Sequence, residues 1–425
     1  MHPDLGRKSE SEMSLLMERY DAMRGRSLVP LVMAVAVLAG CTTVISRSPA
    51  PESALNSLAP YGIVSEEGLP LRLWGDTIDV ADPEHIEDKY KARVQGRFAD
   101  AIARGETIQR TAIAFSGGGP DGAYGAGLIN GWTARGDRPV FHVASGISTG
   151  AIIALFTFLG PDYDDEMTEV YTTYETDDLL TPTLFSGLTG GSAVSDTRKY
   201  RRLIEDYVDD EVIARLASAA QEGRILLVGT TNLDAARPVT WNLTRIAATG
   251  HPDARELIID VIQASSAIPA AFPPVLVPVE DSEGRRFDEM HVDGGATQQV
   301  TLYSPSIPIK RIEDEIGLSA ERDLYVVMNN KLKKPYAPVR PRLLSIAGAS
   351  ASSLLGGSGT SDIYKLFAIA QRDDIDMNVL WIPKDFNEEP EEVFDPVYMK
   401  ALYDLGYEHG LAGDRWSPYP PDFAP

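Results

Sequence analysis

The chain has 425 residues, 44% of them hydrophobic and 24% charged, the balance of a folded protein rather than of a disordered or collagen-like one. Its 62 acidic and 39 basic residues give a net charge of -23, which repels nucleic-acid phosphates and offers no attraction to anionic lipid. Nucleic acid is thereby excluded as an expected partner, and the single cysteine excludes an intramolecular disulfide framework and a cysteine-rich metal site.

Near the start, Arg24 and Arg26 precede an apolar run from Leu28 to Leu38 that ends in Leu38-Ala39-Gly40-Cys41. A basic start, a run too short to span a bilayer comfortably and small residues at its end form the layout of a secretory signal. The segment resembles a bacterial lipoprotein signal. That resemblance implies that residues 1–41 form a signal peptide with its lipobox and that Cys41 becomes the lipidated first residue of the mature chain, with Met23 a candidate start. An ordinary signal peptide or a short buried helix is the alternative. Thr42, where an aspartate would favour inner-membrane retention, implies by the same resemblance the periplasmic face of the outer membrane in the bacterial cell envelope.

From Thr42 the chain is rich in Ser, Pro, Ala and Gly with little periodicity, so residues 42–82 are expected to be a tether and residues 83–425 the folded body. A charged helix is expected from Pro83 to Arg104, where Ile86, Tyr90, Val94, Phe98 and Ile102 recur every four residues, ending at Gly105. Then strands and helices alternate. Thr111 to Phe115 reads as a buried strand, followed by a glycine loop, a helix to about Ala134, a second strand from Val140 to Ala144 and an apolar helix from Ala151 to Leu159. Further strands are expected at Ile225–Thr230, Val239–Leu243, His291–Val292, Leu324–Asn329 and Val379–Ile382, with a helix from Arg198 to Ala219 among the segments between them. This alternation predicts an α/β fold with a mostly parallel sheet covered on both faces. Ser186–Ser195 and Ser345–Thr360, dense in Gly, Ser and Ala, read as surface loops or small-residue helix packing, or alternatively as lids over a lipid site.

Three short patterns carry chemistry. Gly146-Ile147-Ser148-Thr149-Gly150 fits G-x-S-x-G between a strand and a helix, the context of a nucleophile elbow, although Ser148 as a plain helix N-cap fits the same position. Gly117-Gly118-Gly119 directly follows the strand ending at Phe115, where successive N–H groups can hold an oxyanion. A phosphate loop is the competing reading, but it lacks the G-K-[ST] ending and the G-x-G-x-x-G spacing. None of the six histidines falls in the late loop that would complete a Ser-acid-His order. Asp293-Gly294-Gly295, after His291-Val292, offers a carboxylate at a strand end, or only an Asp-Gly turn.

In this order the three patterns resemble the patatin-like phospholipases, with a fourth segment, Ala264-Ser265-Ser266-Ala267-Ile268-Pro269-Ala270-Ala271-Phe272-Pro273-Pro274-Val275, that looks like the family's A-S-x-A-x-P-x-x-F-P-P stretch. The likeness covers about residues 108–300, leaving an α/β extension toward Pro425. It implies a three-layer α/β/α fold and a lipid acyl hydrolase with a Ser148–Asp293 dyad, an oxyanion hole at Gly117, Gly118 and Gly119, and no metal or organic cofactor. The implied partner is membrane lipid. One departure stands out: Asp121 occupies the place where the family carries Arg or Lys. The alternative is therefore a catalytically weak member that binds lipid or an envelope partner.

Overall fold

The computed structural model describes residues 47–65, 67–77, 83–182, 195–332 and 338–423. The signal segment with Cys41 and residues 186–194 of the glycine-rich loop lie outside the described residues. The body is a ten-stranded sheet. Its strands are β1 (Ala59–Pro60), β2 (Arg72–Trp74), β3 (Thr107–Phe115), β4 (Val143–Ile147), β5 (Ile225–Asn232), β6 (Arg237–Asn242), β7 (Val275–Glu280), β8 (Arg286–Asp293), β9 (Ser319–Met328) and β10 (Asp376–Trp381). The order β5-β4-β3-β9-β10 is parallel throughout, as the alternation of strands and helices predicts. The remaining strands join antiparallel at the β5 side, a flank that the sequence pattern does not foreshadow.

Helices cover both faces, because successive strand residues point to opposite sides. Ile113 and Phe115 face one layer, built from α3 (Gly122–Arg135), α4 (Thr149–Leu159), α8 (Asp210–Gln221), α10 (Ala254–Ser265) and α13 (Pro396–Ala412). Ala114 faces the other, where α12 (Leu343–Asp373) packs through Ile363, Leu366 and Ile369. The Ser345–Thr360 stretch is thus part of a helix. The expected 83–104 helix is two pieces, α1 (Pro83–Arg97) and α2 (Ala99–Arg104), broken at Phe98. The expected 198–219 helix is also two, α7 (Arg198–Tyr207) and α8, because Asp209 caps a fresh start by accepting from the Val212 N–H at 2.9 Å.

One expectation needs correction. The described residues between Arg47 and Trp74 of the expected tether are packed into the body: β1 pairs with β7, β2 pairs with β6, and Leu58, Ile63, Leu69, Leu71 and Trp74 are buried. Short edge strands broken by Pro and Gly carry no readable period, so their composition resembles that of a linker. At the other end the extension is integral to the same core. It supplies β9, β10 and α13, and α13 crosses α3 so closely that side chains at Gly127 and Gly131 would strike the backbone carbonyls of Tyr403 and Tyr407.

Candidate active site

The topology brings two strand ends face to face. Ile147, the last residue of β4, pairs with Gly229 of β5, and Asp293, the last residue of β8, pairs with the next residue, Thr230. The other edge of β5 is occupied by β6 over the same residues, so β4 and β8 abut along one edge. Ser148 and Asp293 therefore meet at the carboxyl end of the parallel strands, where α/β sheets place their ligands. The abutment needs glycine: a Cβ on Gly294 would lie 2.6 Å from the Gly229 carbonyl oxygen.

Ser148 has φ 57° and ψ -128°, a conformation that costs a non-glycine residue about 1–3 kcal/mol. The neighbours hold it there. A Cβ on Gly146 would overlap the Gly150 carbonyl, so the turn closes only with glycine at both positions, and the Ser148 N–H donates to Ser265 Oγ at 2.9 Å. Ser265 in turn donates to the Gly229 carbonyl at 2.7 Å. Although Ser148 occupies the N-cap position of α4, its hydroxyl makes no cap hydrogen bond. It interacts instead with the Asp293 carboxylate.

Asp293 is buried, at 6% exposure, and also accepts the Gly295 N–H at 2.7 Å, so the Asp-Gly turn exists but does not use up the carboxylate. Burial pushes its pKa up to about 6, against the lowering effect of the Gly295 N–H and of the nearby Ser148 hydroxyl. A carboxylate poised near neutrality is a better proton acceptor than an ordinary aspartate. His291, two residues earlier, is not available for this work. It is wholly buried, with Nδ1 3.0 Å from Thr230 Oγ1 and Nε2 3.2 Å from Glu289.

The glycine loop lies beside the serine, with one correction to its donor set. The Gly117 N–H donates to the Gln299 carbonyl at 3.0 Å, so it is spent on structure. Among the described residues no acceptor engages the Gly118 or Gly119 N–H. Ser148 and Gly119 open onto a pocket walled by Ile152, Leu179, Leu203, Ile268, Phe272 and Met399, an apolar lining suited to an acyl chain.

Residues 113–305 match the family model of the patatin-like phospholipases. The chain contains a patatin-like phospholipase domain. At a coarse level this places it with the lipid hydrolases. Among solved structures it is matched to VipD from Legionella pneumophila at 13% identity and a TM-score of 0.36, over 72% of this chain and 67% of that one. No curated protein matches the sequence.

Within the patatin-like domain, Asp121 is tied to the C-terminal layer: the Tyr398 hydroxyl of α13 donates to Asp121 Oδ1 at 2.6 Å. The carboxylate that replaces the family's basic residue thus serves the joint between the glycine loop and α13. Sequence reasoning missed Gln299, which accepts from Gly117 and donates through Nε2 to the Gly295 carbonyl at 3.0 Å, linking the glycine loop to the acid turn. Asp362 of α12 accepts the Gln299 N–H at 2.6 Å and fixes the link. Asn329, donating from its backbone and side chain to Ser116, braces the other end of the loop. Neither Gln299 nor Asn329 sits in a pattern, so only the folded neighbourhood reveals them.

Proposed function

We propose that the chain is a serine acyl hydrolase of membrane lipids in which Asp293 acts as base for Ser148. The observation that carries this reading is the buried Asp293 carboxyl beside Ser148, which itself lines an apolar pocket. Asp293 takes the hydroxyl proton as Ser148 Oγ attacks the acyl carbonyl, and the N–H groups of Gly118 and Gly119 receive the oxyanion. Each such donor is commonly worth about 3–4 kcal/mol of transition-state stabilisation. Collapse of the tetrahedral intermediate expels the alcohol, which takes up the proton held by Asp293. Water, deprotonated by the same carboxylate, then releases the fatty acid from the acyl-serine.

Incubating the purified mature chain with fluorescent diacyl and lysophospholipids, glycerides and acyl thioesters between pH 5 and 9 tests this reading. Fatty acid release is expected, with kcat/KM rising as pH passes through about 6 and level above it, because protonated Asp293 cannot accept a proton. Failure to hydrolyse any of these lipids at any pH would favour a lipid-binding role without catalysis.

We also propose attachment to the envelope through Cys41. The support is the sequence layout before Cys41 together with the negative charge, which calls for an anchor other than basic side chains. No helix among the described residues is long and apolar enough to cross a membrane. The mature chain is expected to begin at an acylated Cys41 by intact mass, and an unprocessed, unmodified chain would contradict this.

A further inference from the structure

A second cavity lies at the opposite end of the sheet from Ser148. It is walled by Leu69, Leu71, Leu73, Ile86, Leu302 and Ile312, encloses about 270 Å³, and is reached by Val143 at the start of β4. Val143 and Ser148 are five residues apart on an extended strand, about 16 Å. The volume is just below the ~300–1,000 Å³ usual for small-ligand pockets. Two carboxylates border it: Glu84, which is exposed, and Glu87, which Lys91 and Arg311 neutralise.

One polar feature of the wall lacks an internal explanation. Arg245, on α9 (Leu243–Ala248), lines the cavity, and among the described residues the only hydrogen bond of its side chain is from Nη1 to the Pro70 carbonyl. Its Nε is shut off from water and has no partner. Buried cations are ordinarily paired, since an unpaired one is costly. Arg245 also faces an adjoining small recess lined by Arg93, Arg97, Arg110 and Arg224. Glu67 pairs with Arg93, and Glu313 pairs with Arg110. Among the described residues Arg97 and Arg224 bond only to backbone carbonyls, and no carboxylate makes an ion pair with either. Burial lowers the Arg245 pKa to about 10, which leaves it charged at neutral pH. In a chain of net charge -23, this is a concentrated positive site whose open side is an apolar chamber.

We propose that this cavity binds one long-chain fatty acid, its carboxylate on the Arg245 guanidinium and its hydrocarbon tail along the Leu69–Trp74 wall. A guanidinium matches a carboxylate in planar, two-point geometry, and the tail removes apolar wall from water. The site is separate from the Ser148 pocket, and the inference does not draw on the chemistry proposed there.

Isothermal titration of the full chain with oleate, below its micelle concentration, tests the site directly, with oleyl alcohol as the neutral control. One oleate per chain is expected, bound at least tenfold more tightly than the alcohol. Arg245→Gln should weaken oleate at least tenfold and abolish the preference for it. Ile307→Trp, at a half-buried wall position, should weaken both ligands by filling the cavity, and it keeps the test intact if the arginine variant fails to fold. Three results would overturn the proposal: no saturable binding, equal binding of acid and alcohol, or oleate binding that survives both variants but is lost in Ile268→Trp, which would locate it in the Ser148 pocket.

Discussion

Ser148→Ala is expected to reduce kcat for ester hydrolysis on the order of 10⁶-fold while leaving the fold intact, the scale seen when a hydrolase nucleophile is removed. The hydroxyl makes no helix-cap bond, and the strained turn is held by Gly146, Gly150 and the Ser265 contact to the backbone N–H, none of which the substitution touches. Alanine also loses little by adopting the same backbone conformation already paid for by its neighbours. A melting curve matching the parent, together with hydrolysis of a soluble short-chain ester, checks both halves. Activity near the parent level would mean that Ser148 serves only the turn.

Asp293→Asn is expected to lower kcat on the order of 10⁴-fold, the range for loss of a general base or of the acid that supports one. The amide keeps the shape and still accepts the Gly295 N–H through its carbonyl oxygen, but it cannot take the serine proton. Because Ser148 and Asp293 act as a unit, the double variant should be no worse than Ser148→Ala alone. His291→Gln supplies the contrast. That imidazole bridges Thr230 and Glu289 inside the sheet, so its replacement should cost stability, read as a lower Tm, with kcat of the folded protein largely retained. A folded His291 variant without activity, beside an active Asp293→Asn, would assign the base to the histidine.

The parts of this site that sequence makes legible are those where backbone strain or close approach restricts residue choice. An elbow at Ser148 requires glycine on both sides, and the strand end at Asp293 requires Gly294, so both leave short patterns. The parallel centre of the sheet is legible for a similar reason, since strands buried on both faces form continuous apolar runs such as Thr111–Phe115. Contacts between residues far apart in sequence leave no such trace. The Gly117 N–H is counted as an oxyanion donor until Gln299 is seen to accept it, and Asp121 looks like a defect until Tyr398 is found bonded to it. The segment from Arg47 to Trp74 fails differently: its strands are two and three residues long, and its buried Leu58, Ile63, Leu69 and Leu71 follow no period.

The most direct measurement of the Ser148–Asp293 account is the rate and position of covalent labelling by a fluorophosphonate, followed by peptide mass spectrometry. The parent chain should be modified at Ser148 alone, with a rate that rises as Asp293 ionises near pH 6, and Asp293→Asn should be labelled at least a hundredfold more slowly. Modification at another serine, or labelling of Asp293→Asn at the parent rate, would contradict it.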